Sequence, residues 1–470
     1  MTLRLYDTVA RSVRDFSPLV PGKVGIYLCG ATVQSAPHVG HMRSGVNYDV
    51  LWRWLAHRGF DVTFVRNVTD IDDKVLEKSA ESGTPWWALA YRNELAFAAG
   101  YDALGCLRPT YEPRATGHVP EMLTLMQQLI DAGHAYASGG DVYFDVLSHP
   151  DYGVLSRQRV DHMQPPEDGG TGRKRDPRDF ALWKGHKPFE PESASWPTPW
   201  GVGRPGWHLE CSTMAGKYLG DAFDIHGGGT DLVFPHHENE IAQSTAAGRE
   251  FAQYWVHHAL LNLGGEKMSK SVGNTLGVPA VLSRVRPVEL RYYLAAPHYR
   301  SVIDYSEESL QEAAHAYRRV EGFVQRATER VGAVDPAGVT LPDEFSAAMD
   351  DDLSTPKALA VVHEAVRAGN QALTSDDDRA VRAALGEVRA MLGTLGLDPL
   401  DPTWSGAGRA TDLHAVVDSL VAVALEQRQA ARTRKDYPAS DAIRDQLKQA
   451  GILVEDTPHG PRWTLSDGNV

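Results

Sequence analysis

Three consecutive stretches near the N-terminus restrict the fold more than anything else in the chain. Gly25–Gly30 (GIYLCG) is a short apolar run closed by glycine and reads as a strand. From His41 to about Arg58, Val46, Val50, Leu51, Trp54 and Leu55 recur at helical spacing. Asp61–Thr69 (DVTFVRNVT) is β-branched and partly alternating, so it reads as a second strand. Strand, helix and strand within 45 residues describe a crossover connection between parallel strands. The prediction is an α/β fold with a doubly wound parallel sheet, whose ligand sits beyond the carboxyl ends of the strands.

The chain has 470 residues, too many for one ordinary core, and about three domains are expected. The alternation is interrupted over about 111–200 by an inserted subdomain, with a helix at Val119–Ala132, a strand-like DVYFDV and a Pro/Gly-rich charged loop at Gln164–Pro177. It resumes at Gly206. Asp224–Gly229 (DIHGGG) leads to a helix after Pro235, and Trp255–Leu263 reads as a strand. Residues 1–300 thus form the sheet domain. Residues 301–400 form a helical bundle, with helical periodicity over Ser306–Arg330 and Glu344–Leu395. A linker at Asp398–Gly408 precedes a small terminal domain, 408–470, of two helices and a short strand-like tail. No apolar run approaches the roughly 20 residues of a membrane helix, and the N-terminus lacks the apolar core of a signal peptide. The expectation is a cytosolic protein with no membrane association. A net charge of −14 excludes a blanket polyanion binder but leaves local basic patches open. Three cysteines, Cys29, Cys106 and Cys211, are too few and too odd for a disulfide framework.

Two motifs carry phosphate chemistry. Pro37–His41 (PHVGH) follows the first strand and opens a helix, whose free N–H groups and positive dipole end suit phosphate. Gly40 permits close approach, and His38 and His41 can donate to phosphate oxygens. Lys267–Ser271 (KMSKS) follows a strand and two glycines; Lys267 and Lys270 with Ser269 can wrap a triphosphate. A third set is metal-like. His236 and Glu240 are spaced i and i+4 on the helix after Pro235, with His237 and Glu238 pointing elsewhere. With Cys29 and Cys211 they make a plausible tetrahedral zinc set. Two buried cysteines and a capping pair are the alternative reading of the same residues.

PHVGH and KMSKS on a doubly wound, Rossmann-type sheet resemble the two signatures of class I aminoacyl-tRNA synthetases, with Val39 where isoleucine is usual. The finer resemblance is to the cysteinyl-tRNA synthetases. It is carried by YLCGATVQ, RNVTDIDDK, RDFALWK, GRPGWHLECS, DIHGGGTDLVFPHHENEIAQ, GGEKMSKSVGN, SDAIRDQL and GILVEDTPHGPRW, spread over nearly the whole chain. Gln34 and Tyr437 depart from the residues common in that family. The resemblance implies ATP-dependent activation of L-cysteine to cysteinyl-adenylate and transfer to tRNA(Cys). It implies zinc on Cys29, Cys211, His236 and Glu240, selecting the cysteine thiolate over serine, and Mg²⁺ with ATP. Thr69 and Trp207 would border the bound cysteine. Asp231 would face the ammonium or the nucleotide, and Gly228 and Gly229 would pack against the adenosine.

Leu425–Val470 contains seven basic and seven acidic residues, so charge alone says little. By resemblance Arg432, Asp441 and Asp456 contact anticodon bases; arginine suits guanine edges and aspartate suits amino groups. A cysteine ligase acting on an amino sugar would share the zinc set and both ATP motifs but would not need this terminal region. A regulatory relic would have lost a metal ligand or a KMSKS lysine. The expected protein is a monomer, and Cys106 is expected to be a small core or surface residue.

Overall fold

The computed structural model describes residues 2–163, 173–264, 266–267, 276–405, 409–457 and 460–465. They form two compact units, 1–401 and 402–470.

At the heart of the first unit is a four-stranded parallel sheet. Strand β1 (Lys23–Leu28) is followed by helix α1 (Val39–His57) and strand β2 (Asp61–Arg66). After the insertion come helix α2 (Trp207–Leu219), strand β3 (Ala222–Gly229), helix α3 (Glu238–Ala246) and strand β4 (Phe251–His258). The strand order is β4-β3-β1-β2. The chain therefore leaves β1 toward one edge and β3 toward the other, and the switch point lies between these two neighbours. Cys29, one residue past β1, donates its N–H to Gly227 O at 3.1 Å, directly across that switch point.

Helix α1 is apolar on more than one side because it is packed on more than one side. Val46, Val50, Leu51, Trp54 and Leu55 are all buried, and α1 touches both the sheet and helices Pro287–Ala295 and Asp378–Leu395. Between these layers lies Asp49, whose carboxylate takes the buried Arg291 guanidinium and, at 2.7 Å, Arg53. Burial opposes its charge, but Arg291 and Arg53 hold the carboxyl below its ordinary range. Cys106 sits beside this pair, 3.9 Å from Arg291 Nη1. Burial and the Asp49 charge push its thiol up to about 12, so it is an inert core residue.

The interruption is a four-stranded antiparallel sheet, Ala135–Ser138, Asp141–Phe144, Phe180–Gly185 and Gly203–Pro205, whose last strand lies beyond residue 200. The charged loop expected at 164–177 lies outside the described residues up to 172. The single strand expected over Trp255–Leu263 is two. β4 ends at His258, and strand β5 (Leu261–Leu263) turns away to pair with Glu266–Lys267 and Ile303–Tyr305. Among the described residues that follow, the helices include α4 (Glu307–Val331), Asp343–Asp350, α5 (Thr355–Thr374) and α6 (Asp378–Leu395). The second unit contains helix α7 (Arg409–Thr433), helix α8 (Tyr437–Gln449) and the hairpin Ile452–Thr457/Gly460–Leu465.

Candidate functional site

Three chain segments meet at the carboxyl end of β1. Cys29 comes from the strand end, Cys211 from α2, and His236 and Glu240 from the turn into α3. The four ligand atoms lie within 4.8 Å of one another and all four residues are buried. Cys29 Sγ is 3.4 Å from His236 Nε2 and 3.2 Å from Glu240 Oε1; His236 Nε2 is 3.0 Å from that same oxygen.

The electrostatics explain what the cluster is built to hold. Burial works against charge on every member. Even so, His226 and His236 bring the Glu240 carboxyl down to about 2. Burial alone would lower His236, but Glu240 and Cys211 raise it to about 10. Burial would raise Cys211, but the hydrogen bond from Cys29 and the His236 charge bring it to about 6. Burial and the neighbouring Cys211 sulfur raise Cys29 well above an ordinary thiol. Within the protein alone, Glu240 and His236 thus draw each other toward their charged forms while burial opposes charge on all four. A soft dication bound by two sulfurs, one imidazole and one carboxylate satisfies the same charges more completely, so the donor set fits zinc.

The supporting ring is made largely of histidines. His226, in β3, holds Glu240 Oε2 at 2.8 Å, leaving Oε1 for the centre. His208 Nδ1 lies 2.9 Å from His236 Nδ1, which leaves Nε2 facing inward. Trp207 stacks on the His236 ring, centroids 4.2 Å apart. His237 was expected to point elsewhere. Instead its Nε2 stands 3.9 Å from Glu240 Oε1, while its Nδ1 pairs with His257 Nε2 at 2.7 Å. The reason is local. Residues Val233–His237 form a wider π-type turn with Phe234 extended, so the regular α-helical spacing begins only at Glu238. Cys29, His226, His237 and Glu240 consequently make a second close quartet. The two-sulfur set is the better match to zinc, and His226 and His237 are placed as its outer partners. Burial and the adjacent imidazoles keep His208 and His237 neutral, and bring His257 to about 3. Glu238 does point away: its carboxylate accepts from the N–H groups of Gly153, Leu155 and Ser156 in the insertion.

Thr69 adjoins the cluster through Glu210, the residue before Cys211. Its hydroxyl donates to Glu210 Oε2 at 2.9 Å and accepts from Asn67 Nδ2 at 3.2 Å. Gly227, Gly228 and Gly229 end β3, and their bareness is already used within the protein. A Cβ on Gly227 would meet Tyr48 Oη at 2.4 Å, one on Gly228 His237 Cε1 at 2.6 Å, and one on Gly229 Asp231 Oδ1 at 2.4 Å. Asp231 itself is exposed, on the turn Thr230–Leu232.

The first phosphate motif forms the start of α1. His38 is the N-cap; its backbone N–H donates to His41 Nδ1 at 3.2 Å, and the two rings lie 3.7 Å apart. A Cβ on Gly40 would stand 3.0 Å from the His38 ring. Val39 N–H donates to Leu276 O at 3.0 Å, and His38 bridges Gly277. The residues just past the second motif are therefore joined to the first. Lys267 ends the Glu266–Lys267 strand opposite Asn262; Ser269 and Lys270 lie outside the described residues. Arg43, not singled out from sequence, ties these parts together. It is fully buried on α1 and donates to the carbonyls of Leu260 (2.6 Å) and Ser301, fixing the β5 region against the helix. In the second unit Arg432 is exposed in the last turn of α7, and Asp441, exposed on α8, faces Arg444 at 3.5 Å. Asp456 lies in the hairpin opposite Pro461.

Residues 15–315 match the tRNA synthetases class I (C) catalytic domain, 344–398 the DALR domain and 411–463 the cysteinyl-tRNA ligase anticodon binding domain. The cysteine–tRNA ligase of Streptomyces avermitilis is 63% identical over 467 residues, covering 99% of each chain. That of a Nocardioides species is 59% identical over 473 residues, covering 99% of this chain and all of its own. The Mycobacterium tuberculosis methionyl-tRNA synthetase with methionyl-adenylate shares the fold at 17% identity, TM-score 0.58, over 82% of this chain and 92% of that one. Among the described residues no helix is long and apolar enough to cross a membrane. With near-complete alignment to such relatives, catalytic and terminal regions alike, the chain belongs to the cysteine–tRNA ligase family of class I aminoacyl-tRNA synthetases.

Proposed function

We propose that this enzyme activates L-cysteine with ATP and transfers it to the 3′ end of tRNA(Cys), acting as a monomer in the cytosol. The observation that carries the reading is the convergence of Cys29, Cys211, His236 and Glu240 at the sheet's switch point. Zinc held by that set supplies a soft acceptor that takes a thiolate in preference to the neutral hydroxyl of serine. Such discrimination is otherwise hard to build, because an apolar pocket separates near-isosteres poorly. Trp207 and Thr69, fixed by His236 and Glu210, border the amino acid.

The substrate carboxylate attacks the α-phosphorus of ATP and pyrophosphate leaves. A carboxylate is already a nucleophile, so the protein's task is positioning and charge stabilisation. His38 and His41 hold phosphate oxygens at the α1 start, with Gly40 between them. Lys267, Ser269 and Lys270 hold the β- and γ-phosphates, accompanied by Mg²⁺. Gly228, Gly229 and Asp231 border the nucleotide. In this reading 1–300 is the catalytic domain, with the insertion at about 111–200 and a region contacting the tRNA stem at about 262–300. Residues 301–400 are the helical bundle and 408–470 the anticodon-binding domain, with Arg432, Asp441 and Asp456 on the bases.

ATP–pyrophosphate exchange with cysteine, serine or no amino acid tests the first half-reaction, and charging of tRNA(Cys) tests the second. Cysteine-dependent exchange with serine more than tenfold slower, together with charging, is expected. Serine activated within about tenfold of cysteine, roughly 1.4 kcal/mol, overturns the thiolate-selection argument. Exchange without charging of any tRNA points instead to an amino-sugar acceptor.

A further inference from the structure

Arg43 stands two residues past His41 on α1, and its side chain is fully buried. Its acceptors are backbone carbonyls: Leu260 O at 2.6 Å, His298 O and Tyr299 O at 3.4 Å, and Ser301 O. Among the described residues no carboxylate pairs with it, so the arrangement holds chain segments instead of balancing a charge. Burying a guanidinium costs desolvation. What it supplies that lysine or an apolar residue does not is a rigid planar fork, able to reach two segments at once. Those segments are the stems of neighbouring strands. Leu260 precedes β5, and Ser301 precedes Ile303–Tyr305, which pairs with β5 in parallel. The second stem is itself fixed, since Tyr299 Oη and Arg300 Nε donate to Asp352 at 2.6 and 2.8 Å.

What β5 carries gives this anchor a consequence. Glu266–Lys267 pairs with β5 so that Lys267 stands opposite Asn262, two residues beyond Leu260 and about 7 Å along the strand. At the far end of the same stretch, Val39 N–H donates to Leu276 O at 3.0 Å and His38 bridges Gly277. Residues 261 to 277 thus leave from α1 and return to it. They are held on entry by the Arg43 side chain and on exit by the backbone beside His38. One helix therefore carries both histidines and the anchor of the Lys267 strand. We propose that Arg43 is a positioning residue for adenylate formation: its fork sets where the Lys267 strand stands against His38 and His41, and so the span over which a triphosphate is held. Arg43 acts through Lys267 and not on a phosphate. This rests on the aminoacylation reading, which assigns the phosphates to those residues.

The test follows cysteinyl-adenylate formation in single turnovers with enzyme in excess of ATP, where the amplitude reports the folded fraction and the rate constant reports the chemistry. Wild type, R43K, K267A and R43K/K267A are compared. Zinc content, KM for cysteine and transfer from preformed enzyme-bound adenylate to tRNA(Cys) are measured beside them. A displacement of about 1 Å can cost about 10²-fold, so R43K should slow adenylate formation by about that factor. Its zinc content, KM for cysteine and transfer step should stay at wild-type values, because none of them uses the β- and γ-phosphates. In the K267A background R43K should cost less than about threefold, because a group already removed cannot be misplaced. A wild-type rate in R43K, a second loss of about 10²-fold in the K267A background, or an equal loss in transfer overturns the inference while the wild-type activity stands. If R43K yields no folded protein, Tyr299→Phe takes its place. That change frees the accepting segment of its 2.6 Å bond to Asp352. It should slow adenylate formation about fivefold, the size of one hydrogen bond, with the loss again absent in K267A, and an unchanged rate then overturns the inference. A wild-type protein that forms no adenylate from cysteine and ATP removes the aminoacylation reading, and the inference with it.

Discussion

The metal-type cluster and the phosphate shelf at the start of α1 stand at the same end of the sheet and are built in opposite ways. In the cluster Cys29, Cys211, His236 and Glu240 are buried, and they are held by one another and by hydrogen bonds from His226 and His208. On the shelf His38 and His41 cap a helix start beside residues 276 and 277, and what they offer is a helix N-terminus and two imidazoles. A buried cluster is a stability element as much as a recognition element, since losing one partner strands the charge of the others. A shelf can lose a side chain with little effect on folding. On the proposed function, choice of amino acid is therefore written into the interior, and phosphate chemistry into a rim.

Substitutions can break that contrast. The largest effect is expected of Cys211→Ser. Elemental analysis should show metal falling from one zinc per chain to a small fraction, with a lowered Tm and cysteine activation reduced by more than the roughly 10–100-fold of an outer-partner change. Full zinc in this variant would remove Cys211 from the ligand set. His41→Ala should lower adenylate formation about 10²–10³-fold, or about 2.7–4 kcal/mol, in pyrophosphate exchange, while zinc content and Tm stay near wild type. A fall in zinc would show that shelf and cluster are one unit. His226→Ala should weaken zinc binding by about 10–100-fold in competition with a chelator, because Glu240 Oε2 loses its 2.8 Å partner. Unchanged affinity would make His226 a packing residue. The smallest effect, about 1–3 kcal/mol, is expected of Arg432→Ala. It should appear in aminoacylation and be absent from pyrophosphate exchange, which involves no tRNA. An equal loss in both assays would mean that the substitution disturbs the catalytic unit.

Much of the first unit was readable because period and chain length settle it. The Gly25–Thr69 stretch gave strand, helix and parallel strand, and the observed β1, α1 and β2 differ from it by a few residues at their ends. The four clustered residues were readable for a different reason: cysteine, imidazole and carboxylate are distinctive in kind, and the family resemblance tied them to one another. What escaped notice depends on tertiary register. His226 lies in a buried strand, AFDIHGGG, and nothing in DIHGGG says that its ring meets Glu240; a histidine inside a buried strand is the available hint. His237 meets Glu240 because the turn it ends is wider than α, which residue spacing alone does not reveal. The break between β4 and β5 was hidden because Ala259 and Leu260 continue the apolar run while the strand changes partners.

Gly228 has one more implication. Its missing side chain is the space that His237 occupies, at 2.6 Å from where a Cβ would be. In a mutational library aimed at a new amino-acid preference, any single replacement at 228 would displace that imidazole and score as dead. Such a score would not separate a lost nucleotide contact at 228 from a displaced imidazole at 237. Randomising 228 and 237 together would tell the two apart, because a smaller residue at 237 should re-admit alanine at 228. Gly228 and His237 can therefore change only as a pair, which narrows the substitutions open to this end of β3.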